Sequence, residues 1–251
     1  MSQCPKCAYR RTAKDAPVHP DICPACGIAI NKWLARGSTA AVTIGSPAAD
    51  EAPPMGLGEH FMRLPGRSDQ ASLYGRAVLS LALSLWTLWF MAHGIDWASI
   101  GGSFMHNINL PFHEFGHLLF SPLGRFMAIL GGSLFQVLLP LILLVAFSFF
   151  HQDNYAASVT LWWSGQSLVD LAPYIADAPY RALPLVGGGG EESHDWGNLL
   201  SMTGSLDSAQ AFARFDFVLG IGIMCAALLW GACLLRKQRR WLAAPHGDLD
   251  G

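Results

Sequence analysis

Twenty-five consecutive residues, Phe126 to Phe150, carry no charged side chain. At ~1.5 Å per residue such a run makes a helix of ~38 Å, longer than the ~30 Å hydrocarbon core of a bilayer. Hydrocarbon offers no water to the backbone, so a segment lying there must pair its own N–H and C=O groups, as a helix does. One run of this kind excludes most fold classes. Ala77 to Ile95 and Phe217 to Leu235 are also free of Asp, Glu, Lys and Arg, and Tyr155 to Ala176 carries a single charge, Asp170. Trp86, Trp89 and Trp97 suit an interfacial position at the end of the first run. Composition agrees: 52% of the residues are hydrophobic and 14% charged, where a soluble domain carries about a quarter charged residues. A formal charge of -2 predicts no nucleic-acid partner. The expected fold is an all-α polytopic membrane protein, a bundle of four to six transmembrane or re-entrant helices.

Within this apolar background lies His113-Glu114-Phe115-Gly116-His117, an H-E-x-x-H pattern. Residues four apart share a helix face, so His113 and His117 can offer nitrogens to one ion. Zinc accepts two such imidazoles and takes at least one further protein ligand, leaving a position for water in a catalytic site. Glu114 stands beside the first ligand, placed to take that water's proton. The surrounding Leu110, Phe112, Phe115, Leu118, Leu119 and Phe120 are apolar. A Glu and two His are costly to bury in such company without a role.

The N-terminus reads differently. Cys4-Pro5-Lys6-Cys7 and Cys23-Pro24-Ala25-Cys26-Gly27 are two C-x-x-C knuckles separated by fifteen residues. Cys4, Cys7, Cys23 and Cys26 fit a four-thiolate structural zinc ribbon over residues 1–36. Residues 1–30 have no apolar core, so no secretory signal peptide is expected. Disulfides would require an oxidising compartment. Residues 37–72, rich in Gly, Ser, Ala and Pro as in Gly45-Ser46-Pro47 and Ala52-Pro53-Pro54, read as a flexible linker. Residues 73–240 then read as the membrane-embedded domain, and 241–251 as a C-terminal tail. Residues 178–212 read as a loop containing Gly187-Gly188-Gly189-Gly190, Glu191, Glu192, His194 and Asp195.

The H-E-F-G-H at 113–117, followed by apolar segments and an acid near a proline, resembles the site-2 protease family of intramembrane zinc metalloproteases. That family carries its third ligand in an N-x-x-P-x-x-x-x-D-G pattern on a later transmembrane helix. The nearest counterpart here runs from Asp170 through Pro173 and Asp177 to Ala178. Asp170 stands in place of the Asn, Pro173 matches, Asp177 comes one residue early, and Ala178 replaces the Gly. The resemblance covers roughly residues 75–235 as an arrangement. It implies a membrane-embedded zinc endopeptidase in which Glu114 activates zinc-bound water to cleave a membrane protein or peptide substrate. The alternative reading is a non-catalytic membrane metal-binding protein, whether pseudoprotease, sensor or adaptor, that recruits a cytosolic partner through its ribbon.

The candidates for the third ligand of the catalytic zinc are Asp170, Asp177, His194 and Asp195. Asp177 is favoured, because it follows Pro173 by four residues, ends an apolar segment and comes nearest to the family spacing. Asp170 and Pro173 then take a second-shell or substrate-positioning role, with His194 and Asp195 as alternative third ligands beyond a glycine run. Both chain ends read as cytosolic, with the protein integral to the cytoplasmic membrane. Reduced thiols and Arg63, Arg67 and Arg76 precede the first span, and Arg236-Lys237-Gln238-Arg239-Arg240 follows the last. Ends on one side require an even number of crossings. Of five apolar segments, the one over 104–122 is expected not to cross. Its apolar part, Leu110 to Ser121, would make only ~18 Å of helix. The family resemblance implies a crossing there instead.

Overall fold

The computed structural model describes residues 3–12, 15, 18–33, 56–64, 68–184 and 193–244. Most of the 37–72 segment, with Gly45-Ser46-Pro47, Ala52-Pro53-Pro54 and Arg67, lies outside the described residues, as do Gly187 to Gly190, Glu191, Glu192 and the tail from 245. The chain divides into two compact units, Met1–Met55 and Gly56–Gly251.

The first unit is built from two matching turns. Ala8 N–H donates to Cys4 C=O at 2.9 Å and Cys4 N–H to Tyr9 C=O at 2.8 Å. Gly27 N–H donates to Cys23 C=O at 2.8 Å, and Cys23 N–H to Ile28 C=O at 3.0 Å. The turn needs a left-handed residue after its second cysteine. Gly27 takes it at φ 69°, and Ala8 takes the same position at φ 59° against its preference. Isolated antiparallel bridges, Gln3 with Arg10 and Ile22 with Ala29, close each turn.

The second unit is helical. In chain order its α-helices are α1 (Leu57–Phe61), α2 (Gln70–His93), α3 (Trp97–Gly101), α4 (Phe104–Phe120), α5 (Arg125–Val145), α6 (Asn154–Ala176), α7 (Asp195–Met202) and α8 (Ala209–Ala243). Their starts follow the sequence. Asp69 and Ser72 form a reciprocal capping box at α2. Ser103 caps α4, and Asp153 caps α6. A π-helical turn, Ala146–Phe150, extends α5.

Three helices, spanning Gln70–His93, Arg125–Phe150 and Leu206–Ala243, are long and apolar enough to cross a membrane. They leave large apolar side chains on the outside: Leu81 and Leu85 on α2, Ile142 on α5, Phe215, Val218 and Leu229 on α8. α6 is long enough but more polar, and sixteen of its 23 residues are buried. It is therefore the central helix, with its Ser, Thr, Gln and Asp side chains turned to its neighbours. α8 packs along it through a stripe at Gly220, Met224, Ala227 and Gly231, spaced by three and four residues. A Cβ on Gly165 would lie 2.7 Å from the Gly220 carbonyl oxygen, so the two backbones touch there.

The long helices run from end to end in alternation. At one end Arg76 donates to Gln238 at 2.9 Å and Tyr155 to the Arg76 carbonyl at 2.6 Å, which joins the start of α2 to the start of α6 and the finish of α8. At the other end Gln210, at the start of α8, donates to the Ala176 carbonyl at 2.9 Å. α4 makes its hydrogen bonds to α5 and α6 through Ala128, Gln136, Trp163, Gln166 and Asp170, and among the described residues none toward the Arg76 end. It occupies one half of the bundle, the half that contains the candidate site.

Three boundaries differ from the sequence reading. Residues 57–61, assigned to the linker, form α1, which docks on the bundle: Trp230 donates to the Phe61 carbonyl at 2.8 Å, and His60 stacks on Phe149. The 178–212 loop contains α7 and a 3-10 turn, Leu206–Ser208, because His194 supplies a helix cap. The last helix runs on through the basic cluster to Ala243, well past Leu235, since Arg, Lys, Gln and Trp are all compatible with helix.

Candidate metal centre

α4 and α5 cross at glycines. A Cβ on Gly131 would stand 2.6 Å from the Gly116 carbonyl oxygen, and one on Gly116 would clash with the Gly131 carbonyl. The x positions of H-E-x-x-H are thus not idle, because Gly116 lets the motif helix lie directly on α5. Gly132 faces the histidines. A methyl there would come 2.6 Å from His117 Nε2 and 2.7 Å from His113 Nε2.

Both imidazoles are held from behind. His113 Nδ1 lies 3.1 Å from Gln136 Oε1, and His117 Nδ1 lies 2.8 Å from the Ala128 carbonyl oxygen. Each acceptor requires the proton on Nδ1 and leaves Nε2 to bind a cation, the arrangement expected of metal-bound histidines. Gln136 is fixed in turn, since its amide donates to Asp170 Oδ2 at 3.0 Å and to the Ser167 carbonyl at 3.3 Å. Asp170 also meets His106 Nδ1 at 3.1 Å and Asn109 Nδ2 at 3.2 Å.

The two Nε2 atoms converge on one carboxylate, that of Asp195. Its Oδ2 is 3.1 Å from His113 Nε2 and 3.2 Å from His117 Nε2. Tetrahedral ligands with bonds of ~2.0–2.1 Å sit ~3.3 Å apart, close to these two distances, and all three atoms lie within 4.8 Å of one another. Glu114 lines the same cavity, of about 250 Å³, and has no hydrogen-bond partner among the described residues.

Of the residues named from sequence, the structure brings together His113, His117, Asp195 and Glu114, with Asp170 behind them. Asp177, the favoured third ligand, is not part of this group. Its Oδ2 accepts from His194 Nε2 at 3.2 Å and from Leu183 N–H at 2.9 Å. It is the C-cap of α6, three residues beyond Tyr174, and it does not line the cavity that holds the histidines. Pro173 is buried within α6. Sequence reasoning passed over Tyr174, whose hydroxyl accepts from Asp195 N–H at 2.8 Å, and His106, which lines the cavity. His106 was detectable, being two helical turns before His113 on the same face; nothing marked Tyr174.

In the N-terminal unit Cys4, Cys7, Cys23 and Cys26 form a second group able to hold a metal ion. The Cys4 and Cys26 sulfurs are 3.8 Å apart, and those of Cys7 and Cys23 3.7 Å. Tetrahedral thiolates at ~2.3 Å from a zinc would sit ~3.8 Å apart. For the Cys4 thiol, burial is outweighed by hydrogen bonds from the Cys7 and Lys6 backbone, and it falls to about 6. Cys7 rises to about 12: the Tyr9 backbone favours its charge, but burial and the neighbouring sulfurs resist a second thiolate. A cation relieves that crowding.

Comparison of the chain with protein-family models, with curated proteins and with solved structures returns no match.

Proposed function

We propose that this protein is a membrane-embedded zinc metalloprotease that hydrolyses peptide bonds of membrane-protein substrates, with a first, structural zinc in an N-terminal ribbon and a second, catalytic zinc in the helical bundle. His113, His117 and Asp195 would hold the catalytic ion, and Cys4, Cys7, Cys23 and Cys26 the structural one. The observation that carries the reading is the matched pair of histidines: both give Nδ1–H to an outward acceptor and turn Nε2 toward the same Asp195 oxygen. When bound, zinc lowers the pKa of its water and polarises a carbonyl. The side chains do the rest. Glu114 lies in the cavity with its carboxylate free to accept a proton from water and pass it to the leaving amine. Gln136 and Asp170 keep His113 in one tautomer. The apolar exterior of α2, α5 and α8 faces lipid, and the cavity admits water to a depth where lipid would exclude it. A substrate helix must unwind locally to present a carbonyl there, since helical carbonyls are already hydrogen-bonded.

We read α2, α5, α6 and α8 as four spans and α4 as re-entrant, in place of the crossing that the family resemblance implies. An even number of spans leaves both ends of the bundle domain on one side. That side carries Arg63, Arg76, Arg236, Lys237, Arg239 and Arg240 and is taken as cytosolic. The test is reconstitution with a cleavable membrane-spanning substrate. Glu114→Gln should keep its zinc and lose about 10²- to 10⁴-fold in turnover, while Asp195→Ala should lose both. Full turnover by Glu114→Gln refutes the mechanism. Zinc binding with no turnover in the wild-type chain favours a non-catalytic sensor or adaptor.

A further inference from the structure

Asp177 and His194 make no direct contact with the candidate metal ligands His113 and His117, yet they are tied to the third. His194 is fully buried. Its Nδ1 accepts from Gly197 N–H at 3.0 Å and so caps α7. Its Nε2 therefore carries the proton and donates to Asp177 Oδ2 at 3.2 Å. Asp177 is held on its other side by Leu183 N–H, at 2.9 Å. The Tyr174 ring packs against the His194 ring with centroids 4.3 Å apart, and its hydroxyl accepts the Asp195 N–H.

We infer that Asp177 and His194 form a clasp that places Asp195 on the metal, so that Asp177 governs metal affinity without being a ligand. The inference rests on the metal centre proposed above. α7 has eight residues, too few to hold a helix by itself, so its first turn is set by what its cap is bound to. The cap is His194, the residue immediately before the ligand, and the ring that caps α7 is pinned by the last residue of α6. Releasing the ring frees the Gly197 N–H and lets Asp195 swing relative to two histidines that are fixed independently on α4. Metal sites tolerate ligand displacements of only about 0.2 Å. Residues that orient ligands in this way typically change metal affinity by about 10- to 100-fold. The clasp also accounts for an acid standing near the family position while a different acid faces the histidines.

The test is competitive zinc titration of the purified full-length chain in detergent, with the four-cysteine site as an internal control. Asp177→Ala and His194→Ala should each weaken the second zinc by about 10- to 100-fold and leave the first unchanged. His194→Asn should recover only part of that loss, because its amide can accept from Gly197 N–H as a cap but is too short to reach Asp177. Where an alanine variant fails to fold, Asp177→Leu decides: it keeps much of the volume but cannot accept the His194 N–H, and unchanged affinity overturns the clasp. Wild-type affinity in both alanine variants overturns it as well. So does complete loss of the second zinc in Asp177→Ala beside full retention in His194→Ala, which would make Asp177 a ligand. Retention of that zinc by Asp195→Ala instead refutes the metal centre itself.

Discussion

In the N-terminal unit, two short turns bring four sulfurs within 4.8 Å of one another. In the helical unit the same closeness is reached by His113, His117 and Asp195, the last 82 positions from His113. The cysteine turns are local: each presents two ligands, and Arg11 links the halves by donating to the Val18, His19 and Pro20 carbonyls. The histidine site is the reverse. α4, α5, α6 and α7 position its ligands through glycine crossings, a buried Gln–Asp pair and a helix cap, all made by protein groups alone. A metal site can therefore be the core of a small unit or a guest in a finished one. The burial around each site says which it is.

That contrast can be broken experimentally. The largest effect should come from chelation. Stripping metal from the whole chain should unfold residues 3–33, where thiolate-bound zinc is worth on the order of 10 kcal/mol, and leave the amides of α5 and α6 protected from hydrogen exchange. Loss of protection in both regions, or in neither, would erase the distinction between them. A smaller effect sharpens it from the other side. Gly132→Ala puts a methyl 2.6 Å from His117 Nε2, so the second zinc should fall by at least about 10-fold while the ribbon zinc stays. Metal content by elemental analysis checks both. The smallest of the three is Gln136→Leu, which removes the acceptor behind His113. Affinity for the second zinc should drop by about 10-fold, and stability by about 1–3 kcal/mol, since the buried His113 Nδ1–H and Asp170 Oδ2 each lose a partner. An unchanged affinity would show that the Gln136 contact does not orient the ring.

Much of this was legible in the chain. The charge-free runs announced the long helices, because burial in an apolar medium leaves no other way to satisfy a backbone. H-E-x-x-H placed two nitrogens on one face from helical periodicity alone, and C-x-x-C placed two sulfurs in one turn. Gln136 was visible as the one strongly polar side chain in its span, although its partner was not. Asp177 was misread for a physical reason. Spacing from Pro173 says where a residue lies along α6, but not that the helix ends there and turns its last carboxylate to a neighbouring cap. His194 and Asp195, side by side in sequence, differ in role because one ring faces into the protein and one carboxylate faces the cavity.

What the sequence determined by itself was every feature whose partners lie within about one helical turn: the helices, their caps, the histidine pair and each cysteine turn. The tertiary structure decided which acid completes the pair. It also decided that α6 runs through the centre and that α4 stays in one half of the bundle. These depend on contacts between residues far apart in the chain, where spacing carries no geometric information and only the packing of helices at Gly116, Gly131, Gly165 and Gly220 sets the distances.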